Sequence, residues 1–198
     1  MEITTELIKA LRDETGVSVM QCKKALQEAD GDKEKAKIIL RKQSSSIASK
    51  KSDRALGAGI ASAYTHAGGS VVGAVVLACE TDFVAKNEEF AKLAYGIAMH
   101  IAAMNPLYLD EAAVPQEVID KEREIYKAEM AGSNKPEEIM GKIIEGKVAK
   151  FYTDVCLLKQ QFIKDESMTI EEVIKHGIAK MGENIQLKRF VRFHLGQD

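Results

Sequence analysis

The apolar run Val71–Cys79 and the polar segment after it, Thr81–Lys86, constrain the fold of this chain more than any other stretch. The run carries no charge and hardly alternates, so it predicts a strand with both faces covered. A helical pattern opens near Asn87, which places Thr81–Lys86 at a joint between strand and helix. Working residues in proteins that mix helices and strands are commonly carried on such joints.

The residues of this joint have distinct chemical roles. Thr81 or Asp82 can cap the first turn of a helix, and the Asp82 carboxylate suits the positive end of the helix dipole. Phe83 is either tucked into the core or offered to a partner. Local pattern alone favours the core, because single apolar residues near a surface are ordinary.

Residues 1–42 predict three short helices that form one small module. Thr4, Ser18 and Asp32 are placed as their N-caps, and Gln21 completes a capping box with Ser18. Thr15–Gly16 ends the first helix. So small a bundle buries little apolar surface and is marginal by itself.

Residues 43–56 are predicted to be a linker, since serine and lysine dominate and apolar content is low. Arg41, Lys42, Lys50, Lys51 and Arg54 against Asp53 give five minus one, a local charge of +4. A nucleic-acid contact and a solvated hinge both fit this pattern. The hinge is favoured, because no aromatic residue is interleaved and the whole chain has a formal net charge of −2.

Residues 57–198 predict a core domain of strands and helices. Ile60–His66 and Val71–Cys79 are expected to form a hairpin, and 155–163 another strand. The remaining expected elements are helices from Asn87 to Met104, from Pro115 to about Met130, from Pro136 and from Thr169, and a turn at Gly132–Lys135. The fold class is therefore α+β: a small N-terminal three-helix module, a linker, then an antiparallel sheet packed by helices.

Side-chain positions within these elements follow from the apolar spacing. Ile139, Ile143 and Phe151 are expected to share the inner side of the helix that starts at Pro136. The last segment alternates, and the residues predicted to lie together on one face of its strand are Ile185, Leu187, Val191, Phe193 and Leu195.

Composition and motifs argue against several classes of protein. No apolar run approaches the roughly 18 residues of a membrane helix, and the N-terminus lacks the regions of a signal peptide. Three widely spaced cysteines indicate reduced thiols in a cytoplasmic protein. The four histidines do not stand at metal-ligand spacing, and no phosphate-binding loop or nucleophile motif is present. We therefore expect no metal, no cofactor and no bond-making enzyme, although a protein that accelerates another protein's step remains open.

Several stretches resemble a known family. Glu80–Lys86 resembles the signature of bacterial elongation factor Ts. The other stretches that look like this family are Leu11–Gly16, Met20–Leu26, Ile143–Lys147 and Gly182–Ile185. They lie in the family's order and cover nearly the whole chain. The match is to the short form of the family, because the chain lacks the length and heptads for the protruding coiled coil of longer members.

The resemblance implies a guanine-nucleotide exchange factor for elongation factor Tu. It also implies that this factor binds elongation factor Tu both with GDP and without nucleotide. In the family the signature enters the partner beside its magnesium and phosphate site, a role that falls on Thr81, Asp82, Phe83 and Val84. The N-terminal module resembles ubiquitin-associated domains, and its partner contact falls on Arg12, Val19 and Met20. A homodimer is also implied, with no direct nucleic-acid or membrane contact. Two rival functions are a nucleic-acid-binding protein that uses the basic linker and an adaptor with no effect on exchange.

Overall fold

The computed structural model describes residues 3–131 and 136–196, which form helices, a three-stranded antiparallel sheet and a two-stranded antiparallel sheet. The α-helices are α1 (Thr5–Thr15), α2 (Val19–Glu28), α3 (Lys33–Lys51), α4 (Asp82–Ala85), α5 (Glu88–Met104), α6 (Gln116–Glu129), α7 (Glu137–Val155) and α8 (Ile170–Met181). The strands are β1 (Ala58–His66), β2 (Val71–Cys79), β3 (Gln161–Phe162), β4 (Asp165–Thr169) and β5 (Ile185–His194). The α+β fold class is confirmed.

Helices α1, α2 and the first half of α3 enclose one small hydrophobic cluster of their own. The predicted N-caps are confirmed, since the side chains of Thr4, Ser18 and Asp32 accept hydrogen bonds from backbone N–H groups of the first turns. Gly16 ends α1 in the left-handed conformation. Gln21 differs from the expected capping box, because its side chain accepts a bond from the Ser18 hydroxyl at 2.8 Å.

Helix α3 does not stop near residue 42 but continues through Lys51, contrary to the prediction of an irregular linker there. Ser44 and Ala48 are buried, and Ile47 packs against the main core. Small side chains at this spacing share one helix face, which lets α3 lie close against α8. The Ser44 hydroxyl donates to the Leu40 carbonyl at 2.9 Å, so a buried serine is satisfied inside the helix. The division into domains at 42 and 56 stays a prediction.

The main sheet has the strand order β1-β2-β5, and all its pairs are antiparallel. Helix α5 packs across one face, where Phe90, Ile97 and Ile101 meet Val75 and Leu77 in the main core. Strand β2 is central, which explains its apolar composition.

Strand β2 is covered on one face only, so the prediction that both faces are covered is wrong. Alternate residues from Val71 to Cys79 are buried, whereas Val76 on the other face is 40% exposed. The residues on this open sheet face include Ala61, Ala63, Val72, Ala74, Val76, Val191 and Phe193. No helix of the described residues lies over it with the extent of α5 on the opposite side.

Strand β5 contains an irregularity that reverses its faces. Leu77 pairs with Leu187 but Val76 pairs with Arg189, so Lys188 is an extra residue. One inserted residue moves every later side chain to the opposite face. Leu187 is therefore buried while Val191 and Phe193 are exposed, and the prediction of a single apolar face from Ile185 to Leu195 is wrong.

The structure of residues 104–169 differs from the predictions in the packing of α7 and in the strand expected at 155–163. Helices α6 and α7 pair as a helical hairpin, held by Arg123 to Glu145 and by Lys147 to Glu129. The buried side chains of α7 are Ile144 and Val148. Phe151 packs against the same small cluster as Val148, as expected, whereas Ile139 is 46% exposed. The turn expected at Gly132–Lys135 lies outside the described residues.

The strand predicted at 155–163 is mostly wrong. Helix α7 runs to Val155, a 3-10 turn follows at Leu157–Lys159, and only Gln161–Phe162 pairs as a strand. The Gln160 side chain explains the irregular path, since it donates to the Asp154 carbonyl at 2.7 Å and faces His100. A buried polar group that needs these partners competes with a regular ladder.

Helix α8 connects the two hydrophobic clusters. Thr169 and Glu172 form the predicted capping box at its start, and Gly182 ends it in the left-handed conformation. The ring of His176 donates a hydrogen bond to the Thr15 carbonyl, which joins α8 to the end of α1. Arg41 likewise bonds Ser167 at 3.3 Å, so the N-terminal helices are docked on the core.

Candidate partner-binding site

The segment Thr81–Val84, hereafter the 81–84 loop, begins where β2 ends. The Thr81 side chain is the N-cap of the one-turn helix α4 and accepts a bond from the Val84 N–H at 3.5 Å. Four residues cannot sustain a helix by local bonds alone, because helix nucleation is unfavourable. The conformation of this loop therefore depends on contacts with neighbouring segments.

Phe83 is 83% exposed, whereas the neighbouring Val84 is partly buried against the main core. The core position that local pattern favoured for Phe83 is wrong. Val84 and Ala85 attach one side of the turn to the sheet, and this attachment turns the Phe83 ring outward. A large ring held away from the core is available for burial against a partner.

Asp82 is an exposed carboxylate with one ionic partner. Lys86 donates to its Oδ2 at 2.8 Å across one helical turn. This hydrogen bond and the nearby positive charge hold the pKa of Asp82 below its ordinary value. The group is consequently ionised at neutral pH and placed directly beside the Phe83 ring.

Glu183 accepts three hydrogen bonds from the segment that enters the loop. The N–H groups of Glu80 and Thr81 donate to its Oε2 at 3.1 and 3.0 Å, and the Thr81 hydroxyl donates to its Oε1 at 2.6 Å. The contact exists because β2 and β5 are antiparallel neighbours. The end of β2 therefore meets the turn that precedes β5, with Cys79 opposite Ile185.

Asn184 returns the contact and extends it to the end of α3. Its N–H donates to Glu80 Oε1 at 2.6 Å, and its side-chain amide donates to the carbonyls of Ser52 and Arg54 at 3.1 and 3.0 Å. Arg54 also lies 3.5 Å from the Glu80 carboxylate. Three chain segments thus meet behind the 81–84 loop.

The predicted module residues are exposed and lie on separate elements from the loop. Arg12 is on α1, whereas Val19 and Met20 open α2 and are 52% and 65% exposed. The structure therefore places Thr81–Val84 on one segment, and Val19 with Met20 at the start of another helix. Val84 packs against the main core, whereas α2, which carries Val19 and Met20, contributes its buried residues to the N-terminal cluster.

Burial affects the chemistry of two cysteine thiols, Cys79 and Cys156. Burial raises the pKa of Cys156 to about 11. Burial, followed by the negative charge of Glu183, raises the pKa of Cys79. Thiols with raised pKa values stay protonated and are poor nucleophiles. Within residues 3–131 and 136–196, no three His, Cys, Asp or Glu side chains are grouped to hold a metal ion.

None of the helices in the described part of the chain has the length and apolar character needed to cross a membrane.

Sequence reasoning missed the roles of Glu183, Asn184 and Lys86. Glu183 contacts Thr81 across 102 positions of sequence, so no local pattern links them. The stretch Gly182–Ile185 was conspicuous only for its family resemblance. The signal for Lys86 was the i,i+4 spacing from Asp82, which is the spacing of helical ion pairs.

Comparison with known proteins gives consistent matches. The family model described as elongation factor TS matches residues 37–197. A curated elongation factor Ts of Pseudothermotoga lettingae is 48% identical over 198 residues, which cover 100% of both chains. That of Thermosipho melanesiensis is 50% identical over 195 residues, or 98% of this chain and 100% of the relative. That of Fervidobacterium nodosum is 48% identical over 197 residues. The chain therefore belongs to the elongation factor Ts family, a family of translation elongation factors.

Proposed function

We propose that this protein is a guanine-nucleotide exchange factor for elongation factor Tu and that the 81–84 loop is its working site. The observation that carries the proposal is the position of Phe83, which is 83% exposed on a loop whose flanks are attached to the core. Such a ring is an unused binding group in the free chain. It gains a buried environment only when a partner covers it.

The required energy is within the reach of this loop. An exchange factor that weakens the partner's hold on GDP must itself bind the nucleotide-free partner more tightly by the same factor. A thousandfold weakening corresponds to about 4 kcal/mol. Burial of a phenylalanine ring contributes about 1.5–3 kcal/mol, and hydrogen bonds to the Asp82 carboxylate in a water-poor interface add to it.

The mechanism follows the family resemblance at Thr81–Val84. Phe83 acts as an apolar wedge beside the partner's magnesium and phosphate site, and Asp82 brings a negative charge to the same place. A carboxylate there competes for the groups that hold the metal, and loss of the metal weakens the partner's hold on the phosphates. Val84 serves as the anchor, because it remains packed on this chain's own core.

The N-terminal module supplies affinity in this proposal. Arg12, Val19 and Met20 form its contact, in keeping with their exposure. We retain the division into a module at 1–42, a connecting segment at 43–56 and a core domain at 57–198, with the continuous helix α3 as the connection. In this proposal the protein catalyses no covalent reaction of its own, needs no cofactor and works in the cytoplasm.

A homodimer is the second association we propose, with the open sheet face as the contact. This face presents Val191 and Phe193, which are 39% and 64% exposed. A second copy of the same face would cover them by sheet-on-sheet packing. Sedimentation of the wild type and of Phe193→Asp tests it, and equal monomeric masses would contradict it.

Release of labelled GDP from elongation factor Tu, measured with and without this protein, tests the exchange function. We expect catalytic acceleration and, by calorimetry, tighter binding to the nucleotide-free partner than to the partner with GDP and magnesium. Equal affinity for the two forms would exclude the mechanism and leave an adaptor. Salt-sensitive binding of RNA or DNA without exchange would favour the nucleic-acid-binding alternative.

A further inference from the structure

We infer that Glu183 is a positioning residue for the exchange reaction: its carboxylate fixes the 81–84 loop in the conformation that presents Phe83. The inference rests on the proposed function for the importance of Phe83. It concerns a residue that does not itself project into the partner, since all three of its bonds run to the base of the loop.

The Thr81 hydroxyl takes part in two hydrogen bonds, one as donor and one as acceptor. It donates to Glu183 at 2.6 Å and accepts from the Val84 N–H at 3.5 Å. A hydroxyl has one proton, and donation to Glu183 directs that proton away from Val84. The lone pairs of the oxygen are thereby left to cap α4. Glu183 thus sets the orientation of the cap on which this single helical turn depends.

The backbone at the start of the loop is also hydrogen-bonded to Glu183. The N–H groups of Glu80 and Thr81 both point to one Glu183 oxygen, at 3.1 and 3.0 Å. These bonds carry the order of β2 into the first residue of the loop. A carboxylate accepts several such bonds at once, and charge-assisted bonds are stronger than neutral ones.

The residues on both sides of Glu183 fix its own position in the core. Gly182 takes the left-handed conformation at the end of α8, with a φ of 76°, and so turns the chain toward the loop. On the other side, Asn184 bonds Glu80 and the carbonyls of Ser52 and Arg54. Glu183 is consequently held between α8 and β5, which are both parts of the core.

The chemistry of the side chain makes substitution informative. Glutamine keeps the length of glutamate but replaces one acceptor oxygen with an NH2 group, which cannot accept the Thr81 proton. In Glu183→Gln, the NH2 group faces either the Thr81 hydroxyl, which loses its acceptor, or the N–H groups of Glu80 and Thr81, which lose theirs. In both cases the attachment of the 81–84 loop is weakened while the bulk of the residue is preserved.

A single fluorophore in the free protein tests whether Glu183 orders the 81–84 loop. The sequence contains no tryptophan, so Phe83→Trp places one probe at the tip of the loop. We expect Glu183→Gln to lower the fluorescence anisotropy of this probe. Glu172→Gln is the matched control, because Glu172 also accepts a backbone N–H bond, at 2.9 Å from Thr169, but serves the start of α8. Equal anisotropy with and without Glu183→Gln would overturn the inference.

The test of function measures GDP release at saturating concentrations of this protein. We expect Glu183→Gln to lower the maximal rate at least fivefold and to change the half-saturating concentration less. In a Phe83→Ala background the same substitution should have no further effect, because there is no ring left to position. An equal slowing in both backgrounds, or none in the wild type, would overturn the inference.

Two further comparisons keep the outcome decisive. If Glu183→Gln does not fold, Thr81→Val removes the same hydroxyl bond from an exposed position, and we expect it to lower the anisotropy of the Phe83→Trp probe more than Thr81→Ser does. Equal anisotropies for these two variants would overturn the inference. Failure of the proposed function has a different signature: Phe83→Ala would then leave exchange unchanged, whereas the anisotropy comparison would still decide whether Glu183 orders the loop.

Discussion

The ammonium group of Lys86 lies 2.8 Å from the Asp82 carboxylate, so the acidic group of the 81–84 loop is already paired in the free chain. Both side chains are largely exposed, and such a pair exchanges readily with water and with new partners. Asp82 can therefore leave Lys86 when another binding group approaches. Until then, the hydrogen bond and the charge of Lys86 hold the pKa of Asp82 below its ordinary value.

We expect Asp82→Asn to slow GDP release by at least about tenfold. The substitution keeps the size of the side chain and removes the charge that we propose acts on the partner's metal site. The rate should be measured across a range of magnesium concentrations, and the defect should vary with magnesium. Lys86→Gln is the control, since it frees Asp82 and should not slow release. A defect of Asp82→Asn that is identical at every magnesium concentration would contradict the metal-directed role.

We expect Phe83→Ala to slow GDP release by about 10- to 150-fold, which corresponds to about 1.5–3 kcal/mol of lost burial. Its melting temperature should stay close to that of the wild type, because the ring makes little contact in the free chain. Both quantities should be measured on the same sample. Leu107→Ala removes another exposed side chain, and we expect normal exchange from it. Large loss of stability with normal exchange would show that the loop has been misassigned.

We expect Met20→Ala to raise the half-saturating concentration about tenfold and to leave the maximal exchange rate nearly unchanged. The reason is that Met20 is 65% exposed in a module separate from the loop, so it supplies affinity at about 1.4 kcal/mol. A titration of exchange rate against concentration separates the two parameters. Ile38→Ala, from the same module, is the control. A lower maximal rate for Met20→Ala would mean that the module takes part in displacing the nucleotide.

We expect Gly73→Ala to destabilise the fold by about 1–3 kcal/mol or more. A Cβ at this position would come within 2.3 Å of the Ala98 carbonyl and 2.6 Å of the Ala102 nitrogen, where α5 crosses β2. Gly141→Ala is the matched control in α7, where a Cβ would meet nothing within 4 Å. That substitution should stabilise the chain by about 0.5–1 kcal/mol. Denaturant unfolding measures both, and equal stabilities would contradict the close packing of α5 on β2.

We expect stability to fall as pH decreases below about 6.5, in part because of His100. This side chain is fully buried, and burial lowers its pKa from the ordinary value of 6.5. Its Nε2–H donates to Gln160 at 3.0 Å, and its Nδ1 accepts from the Ile163 N–H at 3.3 Å, so neither nitrogen has room for another proton. Between the lowered pKa and 6.5 the unfolded chain binds a proton that the folded chain does not.

The measurement for this prediction is the free energy of unfolding from pH 8 to pH 5. His100→Asn should flatten the slope below pH 6.5, whatever its effect on absolute stability. Leu107→Ala, which removes an exposed side chain that does not titrate, should leave the slope unchanged. An unchanged slope in His100→Asn would show that other groups carry the pH dependence.

Local patterns predicted the caps and the ends of most helices well. Helix starts could be predicted at Ser18, Asp32 and Thr169, because an N-cap side chain bonds a backbone N–H group within three residues. The structure confirms each of these caps. The hairpin of β1 and β2 was equally accessible, because both strands and their connection are adjacent in sequence. The exposed residues of the 81–84 loop were predicted from family resemblance rather than from local pattern.

The failures have a common physical origin in long-range contacts. Residues 43–51 are too polar to predict a packed helix, yet Ser44 and Ala48 pack because α8 lies beside them. The extra residue at Lys188 cannot be found from alternation, since the bulge is a property of the pairing with β2. Glu183 was missed for the same reason, because its role depends on the neighbour that the sheet supplies.

The unbroken course of α3 has a consequence for how the two proposed contacts address one partner. A helix advances about 1.5 Å and turns about 100° for each residue, so its 19 residues act as a ruler of roughly 28 Å with a defined phase. Adding one residue to the middle of α3 would rotate Met20 by about 100° around the helix axis relative to Phe83. The length and helical phase of α3 therefore determine how the two proposed contacts are oriented toward one partner, although none of its central residues needs to touch that partner.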